Sequence, residues 1–185
     1  QWEQTIIRGR QGFRFSLPGT ERLWELELQP TVGIADGVTI QSNPDFMLRS
    51  DDRSIKPIAI FTDGFEFHVH PNNRLADDIS KRRAIRDSGN LLVWSITWDD
   101  LNPAHAETTM VGNSRTAQVV EKVVAAAAAI DRRFPNPKAT MRNGWEQLKG
   151  FLEQPYQANW SRLANYAAFR PLNALADHRT TAADE

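Results

Sequence analysis

One stretch of the chain holds Asp45, Asp63 and His68, with the acidic pair Asp77-Asp78 further on, residue types that phosphodiester hydrolysis can use. That reaction at neutral pH calls for a hard cation that polarises the phosphate and acidifies a water. Mg2+ takes oxygen ligands, commonly one or two carboxylates with carbonyls and waters, and Mn2+ suits the same donors. Asp45 follows Pro44 at the start of one expected strand, and Asp63 precedes Gly64 at the end of the next. Neighbouring strands so arranged bring two carboxylates to one sheet edge. An imidazole ordinarily titrates near neutral pH, so His68 beside them can act as general base or acid.

Plainer readings stand beside this one. Asp63-Gly64 also suits a hairpin turn. His68 and His70 alternate on one strand and share a face, which could hold Zn2+ as a pair. Asp77, Asp78, Lys81 and Arg82 also read as a solvated helix face. Glu25 and Glu27 read as the wet side of a strand, with Glu25 open as a carboxylate near a metal. The six tryptophans read mostly as core, although an exposed one can stack on bases or wedge between them.

The elements that must position these residues follow from periodicity. Residues 1–22 are mixed, with Arg8, Arg10 and Arg14 close to Gly9 and Gly12, and leave room for a helix at the front. Trp24, Leu26 and Leu28 alternate with Glu25 and Glu27, the period of a half-buried strand. Gly33 and Gly37 mark a turn from which 38–41 returns as a hairpin partner. Short strands are expected at 45–48 and 58–61, the second apolar enough to be buried on both faces, and another at 65–70. Asn72 or Asn73 can cap a helix over 74–88 that Gly89 stops. Asp77 with Lys81 and Asp78 with Arg82 support it at i,i+4 spacing. A hydrophobic strand over 91–98 follows. Strands, helix and strand in this order predict an α/β sheet with a crossover connection.

Beyond Pro103 the composition shifts to helical patterns. One runs from Ser114 through the alanines 125–129 to Arg133, ended by Pro135 and Pro137. A second places Trp145, Leu148 and Leu152 on one face before Pro155, and a third carries Trp160, Leu163 and Ala167. No internal repeat is visible.

With 185 residues, 41% of them hydrophobic, the chain can bury one sizeable core with a small helical extension. Its formal net charge of −1 excludes a uniformly electropositive nucleic-acid binder. DNA contact would rest on local clusters, Arg8 and Arg10 near the start and Lys81 and Arg82 on the helix. Cysteine is absent, which removes disulfides, thiolate-bound zinc and thiol nucleophiles and fits a cytoplasmic setting. No apolar run approaches the roughly 20 residues of a membrane span. The chain opens on Gln1 and closes on a polar stretch, so it reads as an excised piece of a larger protein with a disordered tail over 176–185.

Pro44-Asp45-Phe46, Ile60-Phe61-Thr62-Asp63-Gly64, His68, and Asp78 eleven residues before Gly89 together carry a resemblance. They resemble the very short patch repair endonucleases, a branch of the PD-(D/E)XK nuclease superfamily. That family shows Pro-Asp-Phe, then Ile-Phe-Thr-His-Gly, then a second histidine at the spacing His68 has here. Asp63 stands in place of the first histidine, and the wider superfamily's Glu-x-Lys signature is absent. The resemblance implies that Asp45 and the carbonyl or hydroxyl of Thr62 hold Mg2+ or Mn2+; Asp63, a carboxylate where the family has a histidine, reads as a second metal ligand. The resemblance implies further that His68 manages the water or leaving group and that Asp78 orients His68. The strings at 63–68, 74–78 and 93–101 also resemble domains at the C-terminal end of large superfamily 2 helicases of prokaryotic antiphage defence. This stretch has no Gly-Lys-Thr/Ser phosphate loop, so a motor would lie elsewhere in the parent chain.

The expectation is therefore a restriction-endonuclease-like mixed sheet flanked by helices over 1–105, and a helical extension over 106–175. Its expected function is metal-dependent DNA nicking or cleavage, with DNA and the helicase portion of a parent chain as partners. The alternatives are a nuclease fold that binds DNA without cutting it and a protein-interaction module.

Overall fold

The computed structural model describes residues 2–63, 75–97, 99–101, 122, 125–126, 129, 144–156 and 160. Six strands form one mixed sheet in sequence order. They are β1 (Trp2–Ile7), β2 (Arg10–Ser16), β3 (Leu23–Leu28), β4 (Phe46–Ser50), β5 (Ile58–Asp63) and β6 (Leu92–Thr97). Pairing is antiparallel from β1 to β5, and β5 pairs parallel with β6. A parallel pair needs a crossover; helix α1 (Leu75–Asp87) lies in that connection. The chain divides into compact units Gln1–Asp99 and Asp100–Glu185.

The front of the chain is a β-hairpin, where the sequence left room for a helix. Arg8 and Gly9 both take positive φ, 50° and 80°. A two-residue hairpin loop of type I′ demands this, because its twist matches that of the flanking strands. The residues alternate accordingly: Phe15 is buried opposite Trp2, whose ring stacks on it at 4.2 Å. Ile7 folds over Gly12, where a Cβ would lie 2.5 Å from the Leu26 carbonyl oxygen and 2.7 Å from Ile7 Cδ1.

Residues 38–41 do not return as a ladder partner. A 3-10 turn, Ile34–Asp36, is closed by Gly37 at φ 76°, and one isolated bridge pairs Val32 with Ser42. Val32 and Val38 bury their side chains in the core instead, packed with Met47, Ala59, Ile85 and Leu91. Apolar burial outweighs a marginal two-strand ladder here.

The central strands are buried on both faces. Met47 and Ala59 turn to the α1 side, and Leu48, Ile58 and Ile60 to the other, all at most 3% exposed. That accounts for the unbroken apolar run at 58–60, as expected of a strand covered twice. Helix α1 packs through Ala84 and Ile85. It ends where Gly89 turns left-handed at φ 69° and donates its N–H to the Arg86 carbonyl. Asn90 Nδ2 then donates to the Asp36 carbonyl at 3.0 Å, pinning this end of the helix to the 3-10 turn.

In the second unit, helix α2 (Gly144–Glu153) buries Gln147, Leu148, Phe151 and Leu152, while Trp145 stays 37% exposed. The Gly144 N–H donates to Asp100 Oδ1 at 2.7 Å, a side-chain cap for its first turn. Lys122, Ala125, Ala126, Ala129 and Trp160 are helical; the rest of the expected first and third helices, the tail over 176–185 and the strand at 65–70 lie outside the described residues.

Gly12→Ala should lower stability by about 1–3 kcal/mol, since overpacking against a backbone carbonyl has no flexible neighbour to yield. Gly9→Ala meets no atom within 4 Å and should cost only the left-handed backbone, about 1–2 kcal/mol. Urea unfolding of both variants checks this; a Gly12→Ala midpoint equal to the parent's refutes the packing account.

Candidate active site

The antiparallel register of β4 and β5 sets Phe46 opposite Ile60. The start of β4 therefore lies beside the exit of β5, and Asp45 meets Thr62. Asp45 Oδ2 accepts two hydrogen bonds, from the Thr62 backbone N–H at 2.6 Å and from Thr62 Oγ1 at 2.9 Å. Thr62 thus acts as a donor that fixes the Asp45 carboxylate. Asp63 is the last residue of β5, in register with Thr97. Here the pairing changes from antiparallel to parallel, because the chain returns to β6 through a crossover.

Helix α1 begins over this edge, with Asp77 and Asp78 in its first turn. A cleft of about 390 Å3 opens there, lined by Asp45, Thr62, Phe61, Asp78, Lys81 and Arg82, with Gln41, Ser42 and Asn43 on the opposite wall. Five residues singled out in the sequence, Asp45, Thr62, Asp78, Lys81 and Arg82, thus share one cleft. Lys81 Nζ is paired with Asp77 Oδ2 at 2.5 Å, the expected i,i+4 pair. Arg82 NH1 donates to Ser95 Oγ at 3.0 Å, and its guanidinium stands 4.8 Å over the Phe61 ring.

Arg8 and Arg10 do not line the cleft. Arg10 NH1 donates to the Gln29 carbonyl, and the Gln29 N–H donates to the Asp45 carbonyl at 2.8 Å. Arg10 therefore braces the backbone that leads to Asp45 from two strands away, about 10 Å at the usual strand spacing. Gln29 holds φ 46°, a left-handed conformation that favours glycine. Glu25 is likewise outside the cleft, bonded to Arg14 NH2 at 2.7 Å. Glu27 is buried with Arg49 at 3.9 Å. Burial pulls the Arg49 guanidinium below its usual range, Arg8 pushes the same way, and Glu27 opposes both. His68 and His70 lie outside the described residues. Among the described residues no group of three or more His, Cys, Asp or Glu side chains gathers as a metal cluster.

Sequence reasoning missed Phe61, Ser95 and the polar run Gln41-Ser42-Asn43 as lining or supporting groups. Ser95 carried a signal, a hydroxyl set between Trp94 and Ile96 in a largely apolar strand. Comparison of the chain with protein-family models, with curated proteins and with solved structures found no match.

Gln29→Gly should raise stability by about 0.5–1 kcal/mol by relieving the left-handed backbone, and Gln29→Val should lower it. Thermal unfolding decides; the reverse order means Gln29 stabilises through its side chain instead.

Proposed function

We propose that this chain is a metal-dependent DNA endonuclease domain with a restriction-endonuclease-like core, part of a larger helicase-type DNA-processing or defence protein acting in the cytoplasm. The observation that carries the reading is the cleft itself. Two carboxylates, a hydroxyl and two cations, separated by up to 37 positions in sequence, converge where the sheet changes direction.

Mg2+ asks for hard oxygen donors and accepts one or two carboxylates with waters. Asp45 and Asp78 supply two carboxylates, and Gln41, Asn43 and Thr62 add neutral oxygens, so the donor set fits a divalent ion held largely through water. Asp45 and Asp78 would hold the ion, together with the Thr62 carbonyl on the resemblance and with Asp63 as a further carboxylate where the resembling family has a histidine. The ion would supply charge stabilisation at the phosphate and a more acidic water. The chain's own residues do the rest. Thr62 keeps Asp45 oriented through two donors, and Lys81 and Arg82 face phosphate oxygens, Arg82 with a guanidinium already braced by Ser95 and Phe61. On the resemblance, His68 exchanges the proton of the attacking water or the leaving oxygen, worth about 10² to 10⁴ in rate. No described helix is long and apolar enough to cross a membrane.

The test is supercoiled plasmid incubated with the chain in Mg2+ or Mn2+ and in EDTA. Nicked or linear product should appear only with the metal. Asp45→Ala should abolish it and also remove Mn2+ binding in calorimetry. Loss of the Thr62 contacts should cost no more than about 1–3 kcal/mol of stability, so the variant stays folded. His68→Ala should cut turnover by about 10² to 10⁴ and leave Mn2+ affinity nearly unchanged. Cleavage that survives EDTA, or that Asp45→Ala retains, refutes the assignment. Uncut plasmid with DNA still bound selects the nuclease fold that binds without cutting.

A further inference from the structure

A second groove adjoins the cleft and shares Arg82 with it. It has a volume of about 560 Å3 and runs between α1 and β6, lined by Ile79, Arg82, Arg83, Arg86 and Val93. Among the described residues, three guanidiniums and two aliphatic side chains line it, with no carboxylate. The spacing follows from the helix: 82 and 86 are i,i+4 and 83 and 86 are i,i+3, so the three cations lie along one side over about 6 Å of rise. Among the described residues no acid of α1 lines the groove itself. Asp77 and Asp78 stand in the first turn, at the cleft end, and Asp87 closes the last turn.

Among the described residues, Asp87 is the counter-ion of the two outer cations. It pairs with Arg86 NH2 at 2.9 Å and with Arg83 Nε at 3.5 Å, so one negative charge serves two positive ones. All three side chains are more than half exposed. Ile79 is 55% exposed in the same groove, an apolar group left in water beside the cations. A guanidinium row with an aliphatic strip alongside is complementary to a sugar–phosphate strand. Arginine forks match phosphate oxygens two at a time, and the strip can take sugars and base edges.

We propose that this groove carries one strand of nucleic acid away from the cleft, with Arg83 and Arg86 on backbone phosphates and Ile79 and Val93 against the sugars. The proposal takes the identity of the polyanion from the nuclease reading, because the groove continues from the cleft through Arg82. The groove itself is independent of that reading.

Binding of a fluorescent oligonucleotide by the whole chain, followed by anisotropy in EDTA across about 50–200 mM salt, tests it. Single-stranded and duplex arms separate the two sources of the same backbone. Arg83→Ala/Arg86→Ala should weaken binding at least about tenfold. It should also flatten the log–log salt slope by about 1.8 for duplex or about 1.4 for single-stranded DNA, two phosphate contacts' worth. Asp87→Asn, which lines no part of the groove, should tighten binding by freeing both arginines, and Arg53→Ala, also outside the groove's lining, should change nothing. If the double variant fails to fold, Asp87→Asn alone decides by its sign. An unchanged slope in the double variant, or weaker binding by Asp87→Asn, overturns the proposal. A response of polyglutamate rather than DNA to these variants assigns the groove to an acidic peptide and overturns it too. Because EDTA removes cleavage from the readout, the two readings fail separately. A chain that binds but never nicks loses only the nuclease. A chain that nicks through Asp45 while its double variant binds unchanged loses only the groove.

Discussion

Everything at the candidate site depends on the register of β4 against β5. With Phe46 opposite Ile60, the residue before β4 falls beside the exit of β5, and the Asp45 carboxylate receives both donors of Thr62. A slip of one residue would turn every side chain of β4 to the other face. Met47 and Leu48, both buried, would exchange their faces, so apolar packing on the two sides enforces the register that the polar contact uses. The site is thus specified by the core beneath it, and the hydrogen bonds refine a position already chosen.

The brace continues across the sheet. Arg10 holds the Gln29 carbonyl and Gln29 holds the Asp45 carbonyl, so one end of β2, β3, β4 and β5 is tied into a single row of polar contacts. The left-handed Gln29 fits this picture, since a strained backbone persists only where its surroundings over-determine it, and such residues gather at functional sites. Helix α1 is anchored at its far end by Gly89 and by Asn90 on Asp36, which leaves its first turns to stand over the strand ends. Two of its acids, Asp77 and Asp78, stand at the cleft end, while Asp87 in the last turn pairs with Arg83 and Arg86.

Part of this was legible in the residues themselves. The Pro44-Asp45 turn, the apolar run at 58–60 and the helix stopped by Gly89 each announce their structure through a local rule, and the described elements fall within a few residues of them. The front hairpin was not legible, because Arg8-Gly9 is a weak turn signal in which an arginine must adopt positive φ for the strands to pair. The segment 38–41 misleads for a different reason. Its apolar–polar alternation, Val38-Thr39-Ile40-Gln41, suits a strand, yet the burial of Val32 and Val38 against Met47 and Ile85 draws the loop onto the sheet face. Arg8 and Arg10 look like phosphate contacts as residue types, whereas Arg10 is used as a backbone brace.

By itself the sequence determined which residue types are present for chemistry, which segments can be strands or helices, and that cysteine chemistry is excluded. These are properties of composition and of short-range period, which a single chain displays directly. Tertiary structure alone decided that Asp45, Thr62, Asp78, Lys81 and Arg82 share one cleft, that Glu25 is spent on Arg14, and that Ser95 and Phe61 support Arg82. Convergence of this kind is set by strand register and by the helix crossing the sheet. Both are fixed by burial between residues distant in sequence, and no local pattern records it.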